Sequence, residues 1–253
     1  MDHPRQGVPA DQLKIGVAIP CRNDAQFLGT CLEALARQTR KPSFIVVVDN
    51  SSDDKSAQVA HDGGAVVVEQ SQIGIWPAAS MAYDEIAKRG ADVIARLDAD
   101  SVPPPDWIER IERAFTDDPT LLAITGMGDF YGGTRFSRWF GKHCYLGLMV
   151  SIMNPWLGNP VLFGSNSAMS VALWERMKNK VLSNRADIHD DFELSIRMRP
   201  SDNAVYDETL RVGVSARPFD GPHAFATRIG KALRTMRVTW PEILPWWRRH
   251  HDY

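Results

Sequence analysis

Apolar positions in this chain fall into short runs and helical stripes that alternate through the N-terminal half. Lys14–Pro20 (KIGVAIP) is a β-branched apolar run closed by proline and predicts a buried strand. From Asp24 to Arg37 the spacing turns helical, with Phe27, Leu28, Cys31, Leu32 and Leu35 on one face. Phe44–Val48 (FIVVV) predicts a second strand, running into the polar cluster Asp49–Asp54, and Ala65–Val68 predicts a third. A helix over Pro77–Lys88, a strand over Val93–Leu97 (VIARL) and a helix over Trp107–Phe115 complete the series. Strands alternating with helices imply βαβ units and an α/β domain with a mostly parallel sheet. Such sheets bind ligands beyond the carboxyl ends of their strands. The polar clusters Cys21–Asp24, Asp49–Asp54 and Asp98–Ser101 fall there.

After Thr125 the alternation breaks down, and glycines, aromatics and prolines are frequent to about Phe163. The apolar tract Cys144–Phe163 is interrupted by Asn154, Pro155, Gly158, Asn159 and Pro160, which argues against a membrane span of about 20 apolar residues. Neither GxGxxG nor GxxxxGK[ST] occurs, so the common dinucleotide and triphosphate loops are not expected. The 253 residues are 44% hydrophobic and 24% charged with a net charge of -2, which gives no electrostatic reason to expect nucleic acid. Three cysteines (Cys21, Cys31, Cys144) make no CxxC pair, and residues 1–13 lack the features of a secretion signal. Both point to a reducing, cytoplasmic setting.

Leu97-Asp98-Ala99-Asp100 carries the clearest chemistry. A buried strand ending in two carboxylates one residue apart concentrates negative charge, which a divalent cation relieves while bridging to a diphosphate. The competing reading is a solvated loop whose carboxylates accept from nearby backbone. At this point the chain resembles the family 2 glycosyltransferases. The resemblance rests on Ile19-Pro20-Cys21-Arg22-Asn23-Asp24, Val48-Asp49-Asn50-Ser51-Ser52-Asp53 and Leu97-Asp98-Ala99-Asp100. It continues in Gly164-Ser165-Asn166-Ser167-Ala168 and Asp190-Asp191-Phe192-Glu193-Leu194-Ser195-Ile196-Arg197, covering about Lys14 to Arg199 in the family's order.

The resemblance implies a GT-A type fold, a Rossmann-like sheet with a fused acceptor-binding lobe. It divides the chain into a polar N-terminal segment (1–13) and a nucleotide-sugar-binding half (14–125). An acceptor-binding and catalytic half (126–238) and a Trp/Arg-rich tail (239–253) follow. Pro20 and Asn23 would lie beside the nucleotide, and Asp49 would hydrogen-bond the base, usually uracil. Independently, a carboxylate just past a buried strand can accept from an imide N–H, although Asp49 could equally be a turn-forming residue. Asp98 would face the ribose or the metal, and Asp100 would ligate Mn²⁺ or Mg²⁺. Asp191 matches the family's catalytic base. Asp190 replaces the usual Glu before it, and by spacing both fall in the first turn of a helix, where the dipole stabilises anions. His223, in Asp220-Gly221-Pro222-His223, is a candidate for the late histidine that ligates the metal in many such enzymes.

The implied reaction is a metal-dependent, inverting transfer from a nucleotide sugar, a UDP-sugar in the first instance, to the hydroxyl of a saccharide, lipid-linked or small-molecule acceptor. The alternatives are a sugar-nucleotide nucleotidyltransferase, which usually has a Gly-rich loop where this chain has Cys21–Asp24, and a non-catalytic nucleotide-sugar binding protein. The family's Arg-Asn pair in the helix after the third strand is replaced by Ala79-Ser80, so that arginine's contact must be missing or supplied elsewhere. No QxxRW motif follows Arg197, which argues against a processive synthase. Trp139, Phe140, Tyr145, Trp156, Leu157 and Phe163 could stack on sugars or receive lipid, though core packing is the commoner use of such residues. The tail Thr239–His250 mixes tryptophans with arginines. That suits peripheral contact at the inner face of a membrane, and equally a tail folded over the domain.

Overall fold

The computed structural model describes residues 13–140, 147, 149–217 and 222–250. The four apolar runs form β1 (Ile15–Cys21), β2 (Phe44–Asp49), β3 (Val66–Glu69) and β4 (Val93–Arg96). Between them lie α1 (Ala25–Ala36), α2 (Ser56–Asp62) and α3 (Ile75–Lys88). Next come β5 (Ser101–Val102), α4 (Trp107–Asp117), β6 (Ala123–Tyr131) and α5 (Arg135–Phe140). A π-helical stretch over Met149–Met153 leads into α6 (Asn154–Leu157), then β7 (Ser167–Ser170) and α7 (Val171–Met177). The chain continues with α8 (Asp190–Arg197), β8 (Ala204–Ser215), α9 (Pro222–Val238) and α10 (Pro245–His250).

Successive strand residues point to opposite faces, and both faces are covered. Ile15, Val17 and Ile19 of β1 join Leu28, Cys31 and Leu35 of α1 and Ile108 and Ile111 of α4 in one core. Ala18, Val46, Val48 and Ile94 face the other side, against Trp76, Tyr83 and Ile86 of α3 and Trp174 of α7. Burial on both faces is why these strands read as continuous apolar runs.

The sheet has the order β3-β2-β1-β4-β7-β6-β8-β5. Strands β3, β2, β1 and β4 are parallel, as the helical crossovers require. Beyond β4 the sheet is mixed rather than mostly parallel. β7 runs antiparallel to both β4 and β6, β6 pairs parallel with β8, and β5 runs antiparallel to β8. The reversal coincides with the loss of strand–helix alternation after Thr125, because antiparallel neighbours need no helical crossover. The sheet passes unbroken through the 14–125 and 126–238 halves, and β6 itself spans their boundary. In β6 the register against β8 slips between Gly126 and Met127, and a Cβ on Gly126 would lie 1.9 Å from the Leu210 carbonyl oxygen.

The tail packs back onto the domain. Arg248 is buried, with its guanidinium donating to the carbonyls of Leu157 (2.8 Å) and Met198 (2.7 Å) and to Asn159 Oδ1 (2.6 Å). Trp156 Nε1 donates to the Ile243 carbonyl at 2.9 Å. Trp240 and Trp246 remain exposed, but the Arg248 charge is turned inward. Of the mid-chain aromatics, Phe163 is buried, Trp139 and Trp156 are exposed, and Tyr145 and the Phe140 side chain lie outside the described residues. No helix among the described residues is long and apolar enough to cross a membrane.

Candidate active site

The loops at the carboxyl ends of β1, β2 and β3 are stitched together by asparagines. Asn23 has φ 53°, in the left-handed region that Asn tolerates better than most residues. Its N–H donates to Ser52 Oγ (3.0 Å), and its Oδ1 accepts from the Asp53 N–H (2.9 Å). Asn50 spans to the next loop, donating to the carbonyls of Gln70 (2.9 Å) and Gln72 (2.8 Å) and accepting from the Gly74 N–H (2.7 Å). Asp49 is buried at the end of β2. Its Oδ2 accepts a long hydrogen bond from the Ser52 N–H (3.4 Å), and its Oδ1 has no hydrogen-bond partner. A buried acceptor left open in this way is costly unless a ligand supplies a donor.

At the end of β4, the strand read as apolar contains Arg96, which is only 3% exposed. A buried cation must be paired. Its guanidinium contacts Asp98 Oδ1 at 2.8 Å, Asp190 Oδ2 at 2.9 Å and the Tyr83 hydroxyl at 2.9 Å. Asp98 Oδ2 accepts from Ser165 Oγ at 2.7 Å. Although burial opposes its charge, Arg96 and Ser165 together hold Asp98 below the usual carboxylate range. Sequence reasoning missed Arg96, whose signal was a single charge inside an apolar strand.

Asp100 behaves oppositely. Burial, and then the Asp98 charge beside it, pushes its carboxyl up to about 6. Arg217, just past β8, moderates this from 3.2 Å and also grips Asp24 at 2.9 and 3.2 Å. The same guanidinium lies 3.8 Å from the centre of the Phe27 ring, a cation–π contact that fixes its plane. Arg217 was not foreseen, because nothing local in Ser215-Ala216-Arg217 marks it and its partners lie more than a hundred residues away.

Helix α8 opens with the acidic pair, as the spacing predicted, and Phe192, Leu194, Ile196 and Met198 are all buried beneath it. Thr235 of α9 anchors its start by accepting from the His189 N–H at 2.9 Å. Asp190 turns toward Arg96, whereas Asp191 accepts from the Phe192 N–H (2.7 Å) and, more weakly, the Gly164 N–H (3.4 Å). Burial, and then the neighbouring Asp190 charge, raises Asp191 above the ordinary carboxylate range.

Pro20, Asp98, Asp100 and Asp191 line one cavity of about 310 Å³, together with Arg22, Asp24, Ser165 and Arg228. Asp190 lines an adjoining cavity of about 350 Å³, which shares Asp98, Gly164, Asp191 and Arg228 with the first. Asn23 and Asp49 lie outside both linings, Asn23 in the loop after β1 and Asp49 at the end of β2. The His223 side chain lies outside the described residues. Among the described residues no three histidine, cysteine or acidic groups cluster as metal ligands. Ala79 is fully buried and the Ser80 hydroxyl bonds the Pro77 carbonyl, so neither faces the cavity; Arg22 and Arg228 supply the cations there.

Residues 16–173 match the model of Glycosyl transferase family 2. Among curated relatives, glycosyltransferase AglE of Haloferax volcanii is 32% identical over 128 residues, covering 47% of this chain and 38% of that protein. The fold is shared with the mannosyltransferase PcManGT of Pyrobaculum calidifontis, solved in complex with GDP-Man and Mn²⁺. That match has TM-score 0.66 and 19% identity over 97% of this chain and 72% of the other. It is shared also with S. aureus TarS 1-349 in complex with UDP-GlcNAc, at TM-score 0.64 and 14% identity over 85% and 61% of the two chains. These are GT-A structures, and the mixed sheet with flanking helices is theirs.

Proposed function

Because the chain belongs to glycosyl transferase family 2, we propose that it transfers a sugar from a nucleotide-sugar donor, a UDP-sugar in the first instance, to an acceptor hydroxyl with inversion. The observation that carries this reading is the convergence of Asp98, Asp100 and Asp191, from two distant parts of the chain, on one cavity. A nucleotidyltransferase would be expected to carry a Gly-rich loop where this chain has Cys21-Arg22-Asn23-Asp24.

In this reading Asp191 accepts the proton from the acceptor hydroxyl as that oxygen attacks the anomeric carbon. Its raised pKa, caused by burial and the neighbouring Asp190 charge, makes it a stronger base than an exposed aspartate. One displacement on the face opposite the leaving diphosphate inverts the anomeric centre. Asp190 positions the site by locking onto Arg96, which in turn orients Asp98. The open Asp49 Oδ1 accepts from a base that carries a ring N–H on its pairing edge, as uracil and guanine do and cytosine does not.

The donor set suits a hard divalent cation, Mn²⁺ or Mg²⁺. Asp100 is a desolvated carboxylate held beside a second carboxylate, and such a pair is relieved by dipositive charge. Asp100 and Asp98 would hold the ion, with His223 as the third candidate ligand. When bound, the ion stabilises negative charge on the departing diphosphate. Arg217 steadies Asp100 through the carboxylate oxygen it contacts, in the manner of outer-shell partners of metal-binding carboxylates. The test is a nucleotide panel titrated by calorimetry with Mn²⁺ and with chelator. UDP should bind tightly only with metal, and equal affinity in both conditions would remove the metal assignment. Tighter GDP or CDP binding would change the base and leave the transferase reading in place.

A further inference from the structure

The cavity of about 350 Å³ on the far side of Asp191 has a wall that the proposed chemistry has not used. Helix α9 contributes Thr227, Arg228 and Lys231 to it, one turn of a single helix face, opposite Asp190 and Asp191. The carboxylates there already have their partners. Asp190 is paired with Arg96, Asp98 with Arg96 and Ser165, and Asp191 accepts from two backbone N–H groups. Lys231 is half-buried, and its ammonium meets no carboxylate among the described residues. A half-buried ammonium facing a cavity favours an anion.

We propose that this wall is the acceptor subsite and that the acceptor carries a phosphate a few bonds from its reacting hydroxyl. The inference rests on the transferase reading above, because it takes Asp191 as the base that the hydroxyl must reach. A hydroxyl, a guanidinium fork and an ammonium on successive positions of one helix face offer donors to three oxygens at once, which a phosphate presents and a neutral sugar does not. With the phosphate held by Lys231 and Arg228, the neighbouring hydroxyl is directed at Asp191. The anion also balances a cation that has no carboxylate partner among the described residues. The phosphate belongs either to a soluble sugar phosphate or to a lipid phosphate, and both present the same group.

Calorimetric titration separates the sources when UDP and Mn²⁺ are saturating, so that phosphate cannot enter the donor site. Glucose 6-phosphate is compared with glucose, and decyl phosphate below its micelle concentration with decanol. At least one phosphate should bind where its neutral partner does not, Lys231→Met should weaken it roughly tenfold or more, and Lys231→Arg should retain it. Binding of decyl phosphate alone identifies a lipid phosphate, and binding of glucose 6-phosphate a soluble one. Phosphates that bind no better than their neutral partners, or a Lys231→Met protein unchanged from the parent, overturn the proposal. The same titrations without UDP decide the case in which UDP does not bind. Lys231-dependent phosphate binding then supports the subsite and its absence overturns it, while the donor reading fails separately.

Discussion

Asp191 and Asp190 are adjacent, yet Asp190 pairs with Arg96 while Asp191 accepts from backbone N–H groups. Asp191→Asn should keep the fold and donor affinity while sugar transfer falls roughly 10²–10⁴-fold, the usual span of a general-base contribution. Initial-rate transfer measured beside nucleotide binding checks this, and retained activity would return the residue to a structural role. Arg96→Met should act on stability first. It leaves Asp190 buried and Asp98 half-buried without their cation, and a loss of about 3 kcal/mol is expected from urea midpoints. Asp100 carries a stability cost with a definite sign. Its folded pKa of about 6 lies above the unfolded value, so the native state holds the extra proton between about pH 4 and 6. Stability of the ligand-free protein therefore declines as pH rises through that window, by about 3 kcal/mol at most. Asp100→Asn should raise the urea midpoint at pH 8 and not at pH 4, while abolishing metal-dependent nucleotide binding.

At the scale of elements, β6 and β8 meet around a glycine that admits no side chain. Gly126→Ala would drive a methyl group into the Leu210 carbonyl, so loss of the folded protein or a drop of several kcal/mol should follow, read by circular dichroism melting. Strands β1 to β4 were legible because each is a β-branched run of four to seven residues closed by polar loop residues. Helix α8 was legible from Phe192 and Ile196, four apart. β5 is two residues long, and β8 is interrupted by Asp207, Glu208 and Arg211, so neither carries a periodic signal. Their places come from pairing partners far along the chain, which no local pattern encodes. The carboxylates at strand ends were readable for the same local reason, whereas Arg96, Asn50 and Arg217 acquire their roles from distant partners that folding brings together.

Across the whole molecule the C-terminal segment closes the side of the domain beneath α8. Arg248→Ala should lower stability by about 2–4 kcal/mol, since it leaves buried carbonyls on Leu157, Ile196 and Met198 without a donor. A Tm change too small to measure would mean that this segment is peripheral to the core. Arg96 has a different kind of reach. One guanidinium divides its charge between Asp98, on the donor cavity, and Asp190, at the start of the helix that carries Asp191. Whatever draws Asp98 toward a bound ion leaves more of that charge to Asp190, and whatever disturbs Asp190 is felt at Asp98. If the two cavities take donor and acceptor as proposed, thermodynamic linkage requires each substrate to alter the other's affinity by the same factor. Donor bound first should tighten acceptor binding, acceptor should tighten donor equally, and Arg96→Met should reduce both effects together.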